Sequence, residues 1–199
     1  MDRPTASIAG CADAHSRLAV VLSDLNPSQL SNESRLTDWT VGHVVAHLAL
    51  NAEAMVRRID GALAGQLVEQ YAGGAPGRAS AIDALATQEP GECITRASDA
   101  ANRLDALFNE LSNDAWSLTV RTVKGGTHAV ERLPFRRWRE VEVHLVDLDV
   151  GVELTSWPDD FIDLALPRLI AGLADRTDRR ELTAWLLGRA TPPDLPPWA

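Results

Sequence analysis

Apolar positions recur at helical spacing in four stretches of this chain. Over residues 5–25, Ile8, Cys11, Ala12, Leu18, Leu22 and Leu25 form one stripe, which predicts an amphipathic helix. Asn26-Pro27 ends it, and a polar link over 28–35 follows. A second helix is expected to start near Thr37 or Asp38, either of which can cap it. Its apolar positions are Val41, Val44, Val45, Leu48, Ala52, Met55, Val56 and Ile59, with Gly61 just beyond. Residues 71–78 read as a loop by their glycine and proline content. A third helical region is expected over 79–111, broken at Pro90-Gly91, with Ile94, Ala97, Ala101, Leu104, Leu107 and Phe108 on one side. Residues 118–123 alternate weakly, as a short strand would, and Lys124-Gly125-Gly126 reads as a turn.

The fourth helix is the clearest. Pro134 suits its first turn, where a missing N–H costs nothing, and the pattern runs to Leu148 before Gly151. Four amphipathic helices in this order suggest a bundle. At Trp157-Pro158 a new unit begins, with helical patterns around 160–174 and 181–187 and a Pro-rich tail over 191–198.

Composition narrows the classes. A chain of 199 residues, 45% hydrophobic and 24% charged, is one domain or one with a small appendage, and it is not disordered. No run approaches the roughly 18 apolar residues of a membrane helix. A net charge of −9 argues against a nucleic-acid surface, which needs a positive field. Two cysteines, Cys11 and Cys93, make no disulfide framework, so a cytoplasmic location is expected. Ile8-Ala9-Gly10-Cys11 has the look of a lipoprotein cleavage box, but the residues before it include Asp2 and Pro4 and leave no room for an apolar signal core.

The chemistry sits on the second and fourth helices. Glu140 and His144 are one turn apart, about 40° around the helix surface, and border Val141, Leu145 and Leu148. A carboxylate at that border needs a positive partner. A metal ion would serve, and carboxylate plus imidazole at this spacing is how helical bundles hold metals. An ordinary ion pair with Arg136, Arg137 or Arg139 would serve as well, and spacing alone leaves both readings open. His43 and His47 offer a further imidazole, and His47 lies nearer the apolar arc. His47, Glu140 and His144 would then give three ligands and an open position, the pattern of a catalytic zinc. His15, within the stripe of the first helix, is the outside candidate, and His128 is expected to be solvated. There is no lysine-bearing phosphate loop, no Gly-x-Ser-x-Gly elbow, no CxxC and too few cysteines for a zinc ribbon.

Two of these stretches, LTDWTVGHVVAHLALNAEAM (36–55) and LPFRRWREVEVHLVDLDVG (133–151), resemble the mycothiol-dependent maleylpyruvate isomerases, within the DinB-like metal-binding bundle superfamily. Trp157-Pro158-Asp159 and AWLLGRA (184–190) match the same family's ending, and the loop with Tyr71 and Arg78 is also similar. The family usually has Pro-Gly where this chain has Thr37-Asp38.

The resemblance implies a mainly α fold: a DinB-like up-and-down four-helix bundle over 1–152, then a short, reduced C-terminal α/β segment over 153–199. It implies zinc, or another divalent metal, on His47, Glu140 and His144. The implied activity is a mycothiol-dependent cis-trans isomerisation of maleylpyruvate to fumarylpyruvate, as in aromatic catabolism. A small thiol and a small dicarboxylate would be the partners, with neither nucleic acid nor membrane. The dianion requires a cation, for which Arg189 of the WLLGR motif is the first candidate and Arg136 the second. Two alternatives share the motifs or the fold: a mycothiol S-transferase acting on another electrophile, and a metal-free bundle that binds a partner.

Overall fold

Seven α-helices and one two-stranded sheet occur among the residues that the computed structural model describes, 2–195. They are α1 (Thr5–Asp24), α2 (Val41–Leu63), α3 (Gly74–Ala86), α4 (Pro90–Glu110), β1 (Thr119–Arg121), β2 (Thr127–Ala129), α5 (Leu133–Asp147), α6 (Asp159–Ala171) and α7 (Arg179–Leu186). The chain divides into two units, Met1–Ser156 and Trp157–Ala199. The end of the Pro-rich tail, 196–199, lies outside the described residues.

Within the first unit α1, α2, α4 and α5 form a four-helix bundle around α2. Val44, Val45, Ala46, Leu48, Ala49, Ala52 and Ala54 are all fully buried, so α2 is covered on nearly every side, as a helix apolar all round should be. Opposite it, α1 packs on α5 through a close approach at Gly10. A Cβ there would come within 2.4 Å of the Trp138 ring. The Trp138 indole donates to Glu142 at 2.9 Å, and Glu142 in turn pairs with Arg17 of α1.

The ring order is α1–α5–α2–α4, so the consecutive helices α1 and α2 lie across a diagonal. Cross-contacts fix the directions. Cys93 reaches the Gly42 carbonyl, Arg96 pairs with Glu53 and Arg103 with Asp60, so α2 and α4 run parallel. His47 meets Glu140 while Arg137 reaches back to Asn51, so α2 and α5 run antiparallel. The bundle is as expected, but its connectivity departs from strict up-and-down alternation. The link between α2 and α4 contains the whole of α3, long enough to return the chain to its starting end.

Three local expectations change. α2 is capped not by Thr37 or Asp38 but by Thr40, whose side chain accepts from the His43 N–H while His43 Nδ1 accepts from the Thr40 N–H. The 71–78 stretch does not stay a loop, because α3 begins at Gly74. Gly73 and Gly74 take left-handed φ values of 75° and 65°, and a Cβ on Gly77 would strike the Ala72 carbonyl, so these glycines form a tight entry to a helix. His128 is not solvated. It pairs opposite Val120 at the centre of the hairpin, and strand alternation turns both residues inward, with His128 only 9% exposed.

The second unit carries α6 and α7 and, among its described residues, no strand, so the α/β character expected for 153–199 is absent there. Asp178 caps α7 by accepting from the N–H groups of Arg180 and Glu181. Among all described residues no helix is long and apolar enough to cross a membrane.

Candidate metal centre

His47 enters the bundle from the second turn of α2, and Glu140 and His144 from successive turns of α5. Their ligand-type atoms all lie within 4.8 Å of one another. His47 Nε2 is 3.0 Å from Glu140 Oε2, and His144 Nε2 is 3.5 Å from the same oxygen. Asp147, three residues on from His144, accepts from its Nδ1 at 2.8 Å. That bond places the proton on Nδ1 and leaves the Nε2 lone pair facing the cluster, the arrangement by which carboxylates orient metal-binding imidazoles. Glu140 pairs with no arginine among the described residues. The ion-pair reading with Arg136, Arg137 or Arg139 is therefore set aside, and two imidazole nitrogens and a carboxylate oxygen fit the donor set of a divalent metal.

The electrostatics agree with ligation. Burial pushes the His47 imidazole down to about 4, so it is neutral at pH 7. Burial disfavours the Glu140 carboxylate, but its hydrogen bonds with His144 and His47 outweigh this and hold it well below the usual range. His144 is likewise penalised by burial, yet the bonds with Asp147 and Glu140 raise it above its ordinary value.

The walls come from the segments before α2 and α3. Trp39 lies with its ring centroid 5.8 Å from that of His47. The turn that presents it places Asp38 at a φ of 64°, a left-handed conformation that glycine adopts without strain. Arg78 of α3 sits 5.9 Å from the centroids of both Trp39 and Tyr71, with a guanidinium nitrogen 3.1 Å from His47 Nδ1. No local pattern betrays that contact, because it spans 31 residues and depends on the fold of the glycine turn. Asp147 lies on the same face of α5 as Glu140 and His144, and its bond to His144 emerges only from the structure.

The other candidates go elsewhere. His43 caps α2. His15 pairs with Asp105 at 2.8 Å and accepts from Arg137 at 2.9 Å, forming with Cys11 a second buried cluster. Arg136 is exposed, one turn before Glu140, and makes no hydrogen bond or ion pair among the described residues. Arg189 belongs to the second unit, exposed just after α7, and shares with Arg179 and Arg180 an open hollow of about 700 Å³.

The sequence model of the mycothiol maleylpyruvate isomerase N-terminal domain matches residues 11–149, which include all three converging residues. The chain belongs to this family. Among solved structures, a mycothiol-dependent maleylpyruvate isomerase is similar with a TM-score of 0.75 and 27% identity, over 80% of this chain and 66% of that one. A histidine-to-alanine mutant of that enzyme gives 0.75 and 26% over the same shares. YfiT from Bacillus subtilis, described as a probable metal-dependent hydrolase with an unusual four-helix bundle topology, gives 0.58 and 19% over 73% of this chain and 85% of that one. The YfiT likeness concerns the fold alone. No curated protein matches. The chain spans 66% of the length of the solved isomerase, and the family match covers the bundle that carries the metal cluster.

Proposed function

We propose that this protein is a zinc- and mycothiol-dependent cis-trans isomerase that converts maleylpyruvate to fumarylpyruvate. The observation that carries the reading is the convergence of His47, Glu140 and His144 within 4.8 Å, in a member of the maleylpyruvate isomerase family. A bound divalent metal supplies a positive charge that deprotonates a thiol at neutral pH.

The protein's own groups do the remaining work. His47 offers a neutral imidazole, His144 an imidazole that gives up its proton to ligate, and Glu140 one negative charge. Asp147 keeps His144 in the ligating tautomer. Trp39 covers one side of His47 and keeps water from that edge. The double bond of maleylpyruvate becomes a single bond when thiol sulfur and a proton add across it. That bond rotates, and loss of the same thiolate together with one proton restores the double bond in the trans form. Arg136 holds a carboxylate of the dianion from the face of α5 next to Glu140.

The test is the metal content of the purified chain beside His47→Ala, each then assayed for isomerisation with mycothiol. About one zinc per chain, lost in the variant together with activity, is expected. Metal without isomerisation would replace this reading by S-transfer to another electrophile, and a metal-free wild type would end both.

A further inference from the structure

The two units cover their apolar residues to very different degrees. Across Met1–Ser156 the large apolar side chains left exposed are Val20, Leu63, Leu67, Val123 and Leu154. The second unit is far shorter, yet its described residues expose more of them and bury only Phe161, Ala165 and Leu182 of their apolar side chains. On α6 the exposed ones are Leu166, Leu169 and Ile170, which fall on a single face. At the end of α7 they are Trp185, Leu186 and Leu187, between 37% and 68% exposed.

These helices also lend each other little support, since α6 and α7 barely pack together. At 13 and 8 residues they are about as long as, or shorter than, a helix that survives in water without tertiary packing. A core of three side chains does not supply that packing. The uncovered face of α6 and α7 therefore calls for an apolar surface to lie against.

Charge specifies the surface. α6 opens with Asp159, Asp160 and Asp163, all exposed, and no arginine or lysine pairs with them among the described residues. The hollow beside Leu187 is lined by Arg179, Arg180 and Arg189 and by no carboxylate. None of these arginines makes an ion pair among the described residues, and Asp178 next to them is committed to the N–H groups of α7. One unit thus carries an unpaired acidic end, an unpaired basic hollow and an uncovered apolar face. A polyanion would meet the arginines but be repelled by the aspartates, and it would leave the leucines wet.

We propose that a second copy of this chain docks on the second unit across a two-fold axis. The acidic start of α6 in each protomer meets the arginine hollow of the other, and the faces with Leu166, Leu169, Ile170 and Leu187 close together. A two-fold interface is self-complementary, so each pairing of acidic end with basic hollow occurs twice. Burial of the apolar side chains drives association, and the charges fix its register. This dimer is independent of the reaction proposed above.

The test measures the mass of the full-length chain in solution over a concentration series, by sedimentation equilibrium. Two double variants are compared with it, Asp159→Lys with Asp163→Lys, and Arg179→Glu with Arg180→Glu. All four side chains are exposed and unpaired, so both variants are expected to keep the fold. The wild type should reach twice the chain mass, and each double variant should dimerise at least tenfold more weakly, because like charges then face each other at both contacts. An equimolar mixture of the two variants should recover the dimer, since opposite charges meet again. Ile170→Asp should weaken the dimer with no such recovery on mixing. A wild type that stays monomeric would overturn the proposal, as would a dimer indifferent to both charge reversals or a mixture that stays monomeric.

Discussion

Two buried histidine clusters sit in one bundle, and they have the same ingredients put to opposite uses. At one, His47, Glu140 and His144 bring three ligand-type atoms together. At the other, Cys11, His15 and Asp105 do the same by distance alone. The difference lies in the charge that surrounds the atoms. His15 has both ring nitrogens committed: Nε2 accepts from Arg137 and Nδ1 donates to Asp105. A metal on either nitrogen would break one of those bonds and face a fully buried guanidinium. Burial also holds the Cys11 thiol well above its ordinary value, so no thiolate is on offer.

At the first cluster the negative charges outnumber the cations. Glu140 and Asp147 face two imidazoles, and the one guanidinium in contact, Arg78, is only half-buried. Ligand-atom proximity does not make a metal site. A surplus of negative charge at the ligand atoms does. The second cluster instead ties the bundle together, since Arg137 of α5 bonds His15 of α1 and Leu48 and Asn51 of α2, while His15 bonds Asp105 of α4.

This contrast can be broken in graded steps. Arg137→Ala should have the largest effect on stability, about 3–5 kcal/mol in denaturant unfolding, because it removes the charge that Asp105 balances and strands buried acceptors on two helices, α1 and α2. Removing His15 alone should cost less, about 1–3 kcal/mol, the cost of an unsatisfied Arg137 Nε. Asp147→Asn should leave stability almost unchanged yet weaken metal affinity roughly 10–100-fold, as loss of a bond orienting a ligand does. A chelator competition series would show it.

The smallest effect is one of pH. His144 is raised above its ordinary value and His47 is pushed down to about 4, so His144 takes a proton first as pH falls. Metal must displace that proton. Affinity should therefore rise with pH, by up to about tenfold per unit, until His144 is neutral and then level off. One proton, not two, should be released per metal bound between about pH 5 and that plateau.

The sequence showed the helices and the three converging candidate ligands because both depend on local spacing. Glu140 and His144 lie a turn apart on a strongly patterned helix, and His47 falls on the apolar arc of α2. What it hid depends on distant pairing. Glycine content made the entry to α3 look like a loop, although left-handed φ at Gly73 and Gly74 is what starts the helix. The parallel course of α2 and α4 follows from α3 and carries no mark in either helix. His128 looked solvated because its strand is three residues long, too short for alternation to show. Arg137 was one of three arginines available to Glu140, and only packing against α1 and α2 sends it to His15 instead.

The most direct test of the contrast is metal stoichiometry in His144→Ala and His15→Ala, purified side by side and measured with their unfolding midpoints. His144→Ala should lose its metal and keep its midpoint in the metal-free state, whereas His15→Ala should keep about one metal per chain and unfold earlier. Metal lost from His15→Ala while it remains folded, or retained in His144→Ala, would contradict the assignment of the two clusters.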